Sequence, residues 1–296
     1  MNQLAVIVPA VNTLGDLLGC LAALKRERAS VELEVLVVNR LGDASNAAIR
    51  MEAPWVRILP VAAGTAIPQM RALAFREAKS DAIAVIEDHV IVPEGWAKRL
   101  LAGLAAGHPV VGGAVENAAT ETLLDWAAFL CEYSHCLPPL PEGAAEWLTG
   151  NNIAYQRAAV EKHLGLLDAG KWENALHDAL RADGVALWCD PGLIIGHKKH
   201  YTFAEYFSQR YLYARSYAGA RVAGASAAKR LAMGAAAFAL PPLLFARTVQ
   251  RILAKGRHTG KLWPSLPLIA LFVLAWGGGE VVGYWLGAGT SLAKVK

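Results

Sequence analysis

Glu87, Asp88 and His89 stand side by side after the apolar run Ile83-Ala84-Val85-Ile86, and Val90-Ile91-Val92 carries the chain on to Pro93-Glu94-Gly95-Trp96. Small and β-branched apolar residues that give way to three polar ones are the pattern of a buried strand ending in a site. Carboxylates and imidazole are ligands for Mn²⁺, and carboxylates for the harder Mg²⁺, so metal or phosphate chemistry is one reading. A solvated turn is the other. A second group, Gly196-His197-Lys198-Lys199-His200, places imidazoles in a basic cluster suited to neutralising phosphate, or simply to facing solvent. Adjacent Asn151 and Asn152 suit turn chemistry, where the amide bonds its own backbone.

The elements that must position these residues alternate. Leu4–Val8 is a short apolar run ended by Pro9, Leu14–Arg28 carries apolar residues at helical spacing, and Val31–Val38 is a second strand. Trp55–Leu59, a helix over Ile67–Lys79 and the strand Ile83–Ile86 continue the pattern. Right-handed crossovers would make this a mostly parallel, Rossmann-like α/β sheet with helices on both faces. Ligands of such sheets bind outside the carboxyl ends of the strands, where the Glu-Asp-His group falls. Val110–Asn117 reads as a strand whose Gly112-Gly113 pair marks a close backbone approach, as to a ligand, Leu123–Tyr133 as a helix, and Ala186–Pro191 as a last short strand.

Composition narrows the class. The chain has 296 residues, 55% of them hydrophobic, and a formal net charge of +4. A mean hydropathy of +0.31 is high for a purely soluble protein, so some apolar surface is expected to face lipid. The basic residues concentrate late in the chain, which fits an anionic membrane surface, and no nucleic-acid-binding signature is present. Cys20, Cys131, Cys136 and Cys189 lack metal-finger spacing and read as reduced, partly buried thiols. No GxGxxG follows the first strand and no GxxxxGK[ST] occurs, which counts against dinucleotide-binding and P-loop enzymes. No basic leader precedes the first strand, so the α/β part is expected in the cytoplasm.

The order of motifs resembles family 2 glycosyltransferases of the GT-A fold over roughly residues 4 to 200. Val6-Ile7-Val8-Pro9-Ala10-Val11-Asn12 is similar to the family's opening VIVPAYN-like segment, and Val35 to Asp43 to its VVDDGSxD segment. Gln69-Met70-Arg71 resembles the arginine-containing helix start, and Ile83 to Trp96 the metal-binding DxD strand with its proline-glycine-tryptophan turn. Gly150-Asn151-Asn152-Ile153-Ala154-Tyr155-Gln156-Arg157 is similar to the family's G-x-N-x-A-x-R segment. The resemblance implies a nucleotide-sugar donor contacted by Pro9, Asn12, Asn39, Arg71, Glu87, Asp88 and Asn152. It also implies a divalent metal, Mn²⁺ or Mg²⁺, near Glu87, Asp88, His89 and His197. Counting back from Gly184 places Glu173 at the family's general-base position, where an inverting transferase must take the proton of the acceptor hydroxyl. Asp178 is the second candidate.

Two departures change the chemistry. Asn39 stands where the family has a base-reading aspartate, and Glu87-Asp88-His89 replaces DxD with a group carrying less negative charge, so metal binding is expected to be more pH-dependent. A catalytically degenerate GT-A scaffold that binds nucleotide or membrane is therefore the alternative to an enzyme. Residues 201–230 mix aromatics and arginines as an interfacial helix does, and 231–296 hold two apolar segments, Leu231–Ala246 with Pro241-Pro242 and Leu266–Gly289 with Glu280. The basic residues Arg247, Arg251, Lys255, Arg257 and Lys261 between them favour a re-entrant or interfacial first segment over a two-helix hairpin. Glu280 is expected to face protein, and a basic partner. The reading is a transferase of 1–200 with membrane helices after it, acting on a lipid-linked or glycan acceptor at the cytoplasmic side of a bacterial inner membrane.

Overall fold

The computed structural model describes residues 3–296. The chain divides into two compact units: one runs to Ala118 and resumes over Pro138–Lys198, and the other comprises Ala119–Leu137 with Lys199–Lys296.

The first unit is a mixed α/β structure built on a 9-stranded sheet. Its strands are β1 (Gln3–Ala10), β2 (Glu32–Asn39), β3 (Arg57–Pro60), β4 (Ala82–Val85), β5 (Val90–Ile91), β6 (Val110–Asn117), β7 (Gly143–Ala145), β8 (Ile153–Gln156) and β9 (Leu187–His197). Their order is β3-β2-β1-β4-β8-β6-β9-β5, with β7 on β9. The first four are parallel, and all residues of β1 from Leu4 on and of β4 are buried, as continuous apolar runs covered on both faces require. Helices Leu14–Glu27 and Ile67–Glu77 follow the expected spans to within two residues, and Asp43–Glu52 adds one the sequence reading did not include.

Beyond β4 the sheet departs from all-parallel. β8 inserts antiparallel between β4 and β6, and β5 pairs antiparallel with the end of β9. The Gly112-Gly113 pair serves this packing and not a ligand. A Cβ on Gly113 would lie 2.1 Å from the Leu193 carbonyl oxygen, and one on Gly112 2.8 Å from that of Asn152. The last strand is longer than the expected Ala186–Pro191, because β9 bulges past β6 between Gly112 and Ala114 and continues to His197.

The second unit is helical. Leu123–Tyr133 belongs to it by compactness: the Tyr206 hydroxyl donates to the Ala128 carbonyl, and the Lys255 ammonium to the carbonyls of His135 and Leu137. Helix Phe203–Arg221 packs on the long helix Thr259–Leu286 through glycines. Added Cβ atoms at Gly279 and Gly283 would lie 2.3 and 2.6 Å from the carbonyl oxygens of Tyr211 and Arg215, so the two backbones approach closely, as small residues at a helix pitch allow. Pro241 and Pro242 sit in the first turn of helix Leu240–Lys255, where a missing N–H costs no helical bond. A 3₁₀ turn over Ala237–Ala239 joins that helix to Ala227–Ala236, so the prolines do not interrupt the apolar segment. Glu280 is buried and faces protein: Trp276 Nε1 donates to it at 2.9 Å and the Arg221 guanidinium lies 3.4 Å away.

Candidate metal and donor site

Glu87, Asp88 and His89 leave the carboxyl end of β4, and the β5–β9 ladder sets Val90 opposite His197. Backbone pairing thus brings together two histidines 108 residues apart, Nε2 to Nε2, at 2.8 Å with their rings edge to face. Glu87 Oε2 lies 3.4 Å from His89 Nε2 and 3.9 Å from His197 Nε2. An ion bonded at about 2.1 Å places neighbouring ligands roughly 3 Å apart, so the three atoms fit one cation. Two ring nitrogens at 2.8 Å also demand something between them, because two facing lone pairs repel. A proton or a metal ion satisfies that demand.

Asp88 does different work. Its Oδ2 accepts the backbone N–H groups of Val11 and Asn12 at 2.7 and 2.8 Å, and its Oδ1 accepts the Asn12 amide at 2.7 Å and faces His89 Nδ1 at 2.9 Å. The carboxylate is wholly buried and turned towards β1, not towards the trio. It fixes the loop after Pro9 and, by accepting a hydrogen bond from His89 Nδ1–H, leaves Nε2 to face Glu87 and His197. Pro9 itself is buried in β1 beside Val38.

Electrostatics follow from this packing. Burial opposes charge on His89, but hydrogen bonds to Asp88 and Glu87 outweigh it and raise the imidazole to about 9. Burial would raise both carboxyls, yet the bond to His89 and its charge hold Asp88 and Glu87 below the usual carboxylate range. At neutral pH the trio therefore holds a proton where a cation fits.

The segment Thr149-Gly150-Asn151 lines the other side. Asn151 Nδ2 donates to Glu87 Oε2 at 2.9 Å, and the Thr149 hydroxyl donates to Asn151 Oδ1 at 2.6 Å, which orients the amide. A Cβ on Gly150 would meet Glu173 Cδ at 2.7 Å, so Glu173 rests against the glycine. Glu173 opens helix Glu173–Ala182 and pairs with Arg71 Nη1 at 2.8 Å, both side chains largely buried. Beneath them Tyr155 and His177 share a hydrogen bond of 2.8 Å, and burial together with Arg71 lowers His177 to about 4. Asp178 lies on the exposed helix surface with Arg181.

Two asparagines named by the sequence have their amides committed to protein. Asn152 accepts from Trp96 Nε1 and donates to the carbonyls of Ala114 and Leu193. Asn39 donates to Ser45 and Asn46 and accepts from Leu41 N. In the sequence Asn151 reads either as a turn residue or as part of the family-like segment beside Asn152, and Tyr155 and His177 give no signal, since their role depends on β8 lying beside β4. In the second unit Glu121, Asp125 and His200 also converge, with Asp125 closing the N-terminal capping box of helix Leu123–Tyr133.

Residues 5–162 match the family described as Glycosyl transferase family 2. No curated protein sequence matches the chain. Among solved structures, S. aureus TarS 1-349 is similar at 13% identity and a TM-score of 0.48, over 70% of this chain and 63% of TarS 1-349, so the chain spans less than two thirds of that length. The mannosyltransferase PcManGT from Pyrobaculum calidifontis, in complex with GDP-Man and Mn²⁺, is similar at 17% identity and a TM-score of 0.50, over 95% of this chain and 73% of PcManGT.

Proposed function

The chain belongs to glycosyl transferase family 2, a family of glycosyltransferases, and from that premise we propose that it moves a sugar from a nucleotide-sugar, with inversion, to a lipid-linked or membrane-proximal glycan acceptor in envelope polysaccharide or glycolipid synthesis. The observation that carries the reading is the convergence of Glu87, His89 and His197 on one point, beside the segment Thr149-Gly150-Asn151 against which Glu173 rests. A divalent ion there would supply positive charge to the leaving diphosphate. PcManGT, whose complex holds GDP-Man and Mn²⁺, has that pair of ligands on the same fold.

The residues divide the work. Glu173 takes the proton of the acceptor hydroxyl, and Arg71 holds its carboxylate in place at 2.8 Å. Arg71 is thus a positioning residue. Asn12 shapes the loop under the donor through Asp88, and Asn151 sets Glu87, while Asn39 and Asn152, their amides committed to protein, and Pro9, buried in β1, support the donor pocket from behind. Preorganisation of these groups in a dry, rigid frame is where the rate enhancement arises.

The membrane reading rests on the second unit. Two of its helical stretches, Ala227–Lys255 and Thr259–Leu286, are long and apolar enough to cross a membrane. They present Leu231, Phe238, Leu243, Trp263, Leu274 and Leu286 to solvent. Basic residues flank the charge-free Leu231–Ala246 on both sides, Lys229 and Arg230 before it and Arg247 and Arg251 after. That supports entry and exit on one leaflet, with residues 1–200 as the transferase at the cytoplasmic side of a bacterial inner membrane, 201–230 interfacial and 231–296 embedded.

Turnover of a panel of UDP-, GDP- and dTDP-sugars with membrane acceptor extracts, with Mn²⁺ or with EDTA, tests the function. Glu173→Gln should abolish transfer and leave donor binding intact. Unchanged turnover in that variant refutes the base assignment.

A further inference from the structure

We propose that the Glu87–His89–His197 site selects a nitrogen-accepting transition ion, Co²⁺ or Zn²⁺ ahead of Mn²⁺, and discriminates strongly against Mg²⁺. The inference rests on the metal reading given above and goes beyond it by naming the class of ion.

The donor set carries the argument. A site of aspartates offers Mg²⁺ the hard oxygen ligands it prefers, but only one of the three converging atoms here, Glu87 Oε2, is an oxygen. Two are imidazole nitrogens, which suit the later first-row ions, and affinity for such sites rises from Mn²⁺ to Co²⁺ and beyond. A second carboxylate that would suit Mg²⁺, Asp88, is not available. Its oxygens are bonded to Val11 N, Asn12 N, the Asn12 amide and His89, and it is fully buried.

The surroundings reinforce the choice. Asp88 on Nδ1 fixes the His89 ring so that Nε2 faces the site, and a carboxylate partner strengthens an imidazole as a ligand. The Asn151 amide, held by Thr149, donates to Glu87 Oε2, the one oxygen donor, and draws charge from it. The His89 nitrogen is strengthened and the oxygen donor weakened. Mg²⁺ loses on both counts.

The test is titration of the purified full chain in detergent, stripped by EDTA, with Mg²⁺, Mn²⁺, Co²⁺ and Zn²⁺ alone, read by calorimetry and by competition with bound Co²⁺ followed by its visible absorption. The expected result is Co²⁺ and Zn²⁺ binding at least tenfold tighter than Mn²⁺, with a hundredfold excess of Mg²⁺ failing to displace Co²⁺. His197→Asp should narrow the gap between Mn²⁺ and Mg²⁺ at least tenfold, and Asn151→Ala should tighten Mg²⁺ relative to wild type. Equal binding of Mg²⁺ and Mn²⁺ to the wild type, lost in His197→Ala, would overturn the selectivity and leave the metal site standing. No binding of any ion to folded protein would overturn both.

Discussion

At the residue scale Asp88 is the side chain whose loss should cost most without touching a reacting group. It takes two backbone N–H groups and an amide on its two oxygens, so Asp88→Asn must turn an amide N–H against at least one of these donors. We predict a loss of about 3 kcal/mol in urea unfolding, because a buried, charge-assisted acceptor is replaced by a mismatched one. The histidines set the pH dependence. His89, raised to about 9, stabilises the metal-free fold below the ordinary histidine value near 6.5, and that contribution is lost as pH rises through about 9. His177, lowered to about 4, stabilises above about 6.5 and loses its contribution as pH falls towards 4. The metal-free protein is therefore expected to have its highest unfolding midpoint between about pH 6 and 7. A midpoint that climbs steadily to pH 9 would contradict the placement of His89. Metal must displace the His89 proton, so apparent affinity should rise about tenfold per pH unit below 9. Glu87, Asp88 and His89 were legible because three polar residues interrupt a strand pattern. Which of them face the site was not, since that depends on Asp88 finding donors in the loop that follows β1.

At the element scale the site depends on segments with no room for a side chain. Gly150→Ala sets a Cβ against the Glu173 carboxyl, the mobile end of a side chain, so the fold should survive while Glu173 is pushed off Arg71. We predict turnover falling at least a hundredfold with donor affinity and thermal midpoint little changed, measured by initial rates and calorimetry. In Gly113→Ala the obstacle is the Leu193 backbone at 2.1 Å, which cannot yield, and soluble expression should be lost. The strands β1, β2, β4 and β6 were legible from apolar runs. The antiparallel β5, β7 and β8 were not, being two to four residues long with no period to read. They matter most for the site, because β5 on β9 delivers His197 to His89.

At the scale of the whole molecule the apolar helices separate where the chain works from what it does. Hydropathy and the basic loop were readable in sequence, and so was the need for a partner at Glu280, which Arg221 supplies. That Leu123–Tyr133 joins the helical unit was not, because its apolar periodicity fits packing in either unit. Phe238→Asp, at an exposed position on the charge-free stretch, should reduce sedimentation with vesicles containing anionic lipid at least tenfold and leave metal binding untouched.

Glu87, His89 and His197 are proposed to form a cation site on which the diphosphate of a nucleotide-sugar docks. Its most direct measurement is calorimetric titration of UDP-, GDP- and dTDP-sugars into the detergent-purified chain, with Mn²⁺ and without, for wild type and for His197→Ala. One donor is expected to bind, Mn²⁺ to tighten it at least tenfold, and the variant to remove the metal effect. Donor binding of equal strength with and without metal in both proteins would contradict such a site.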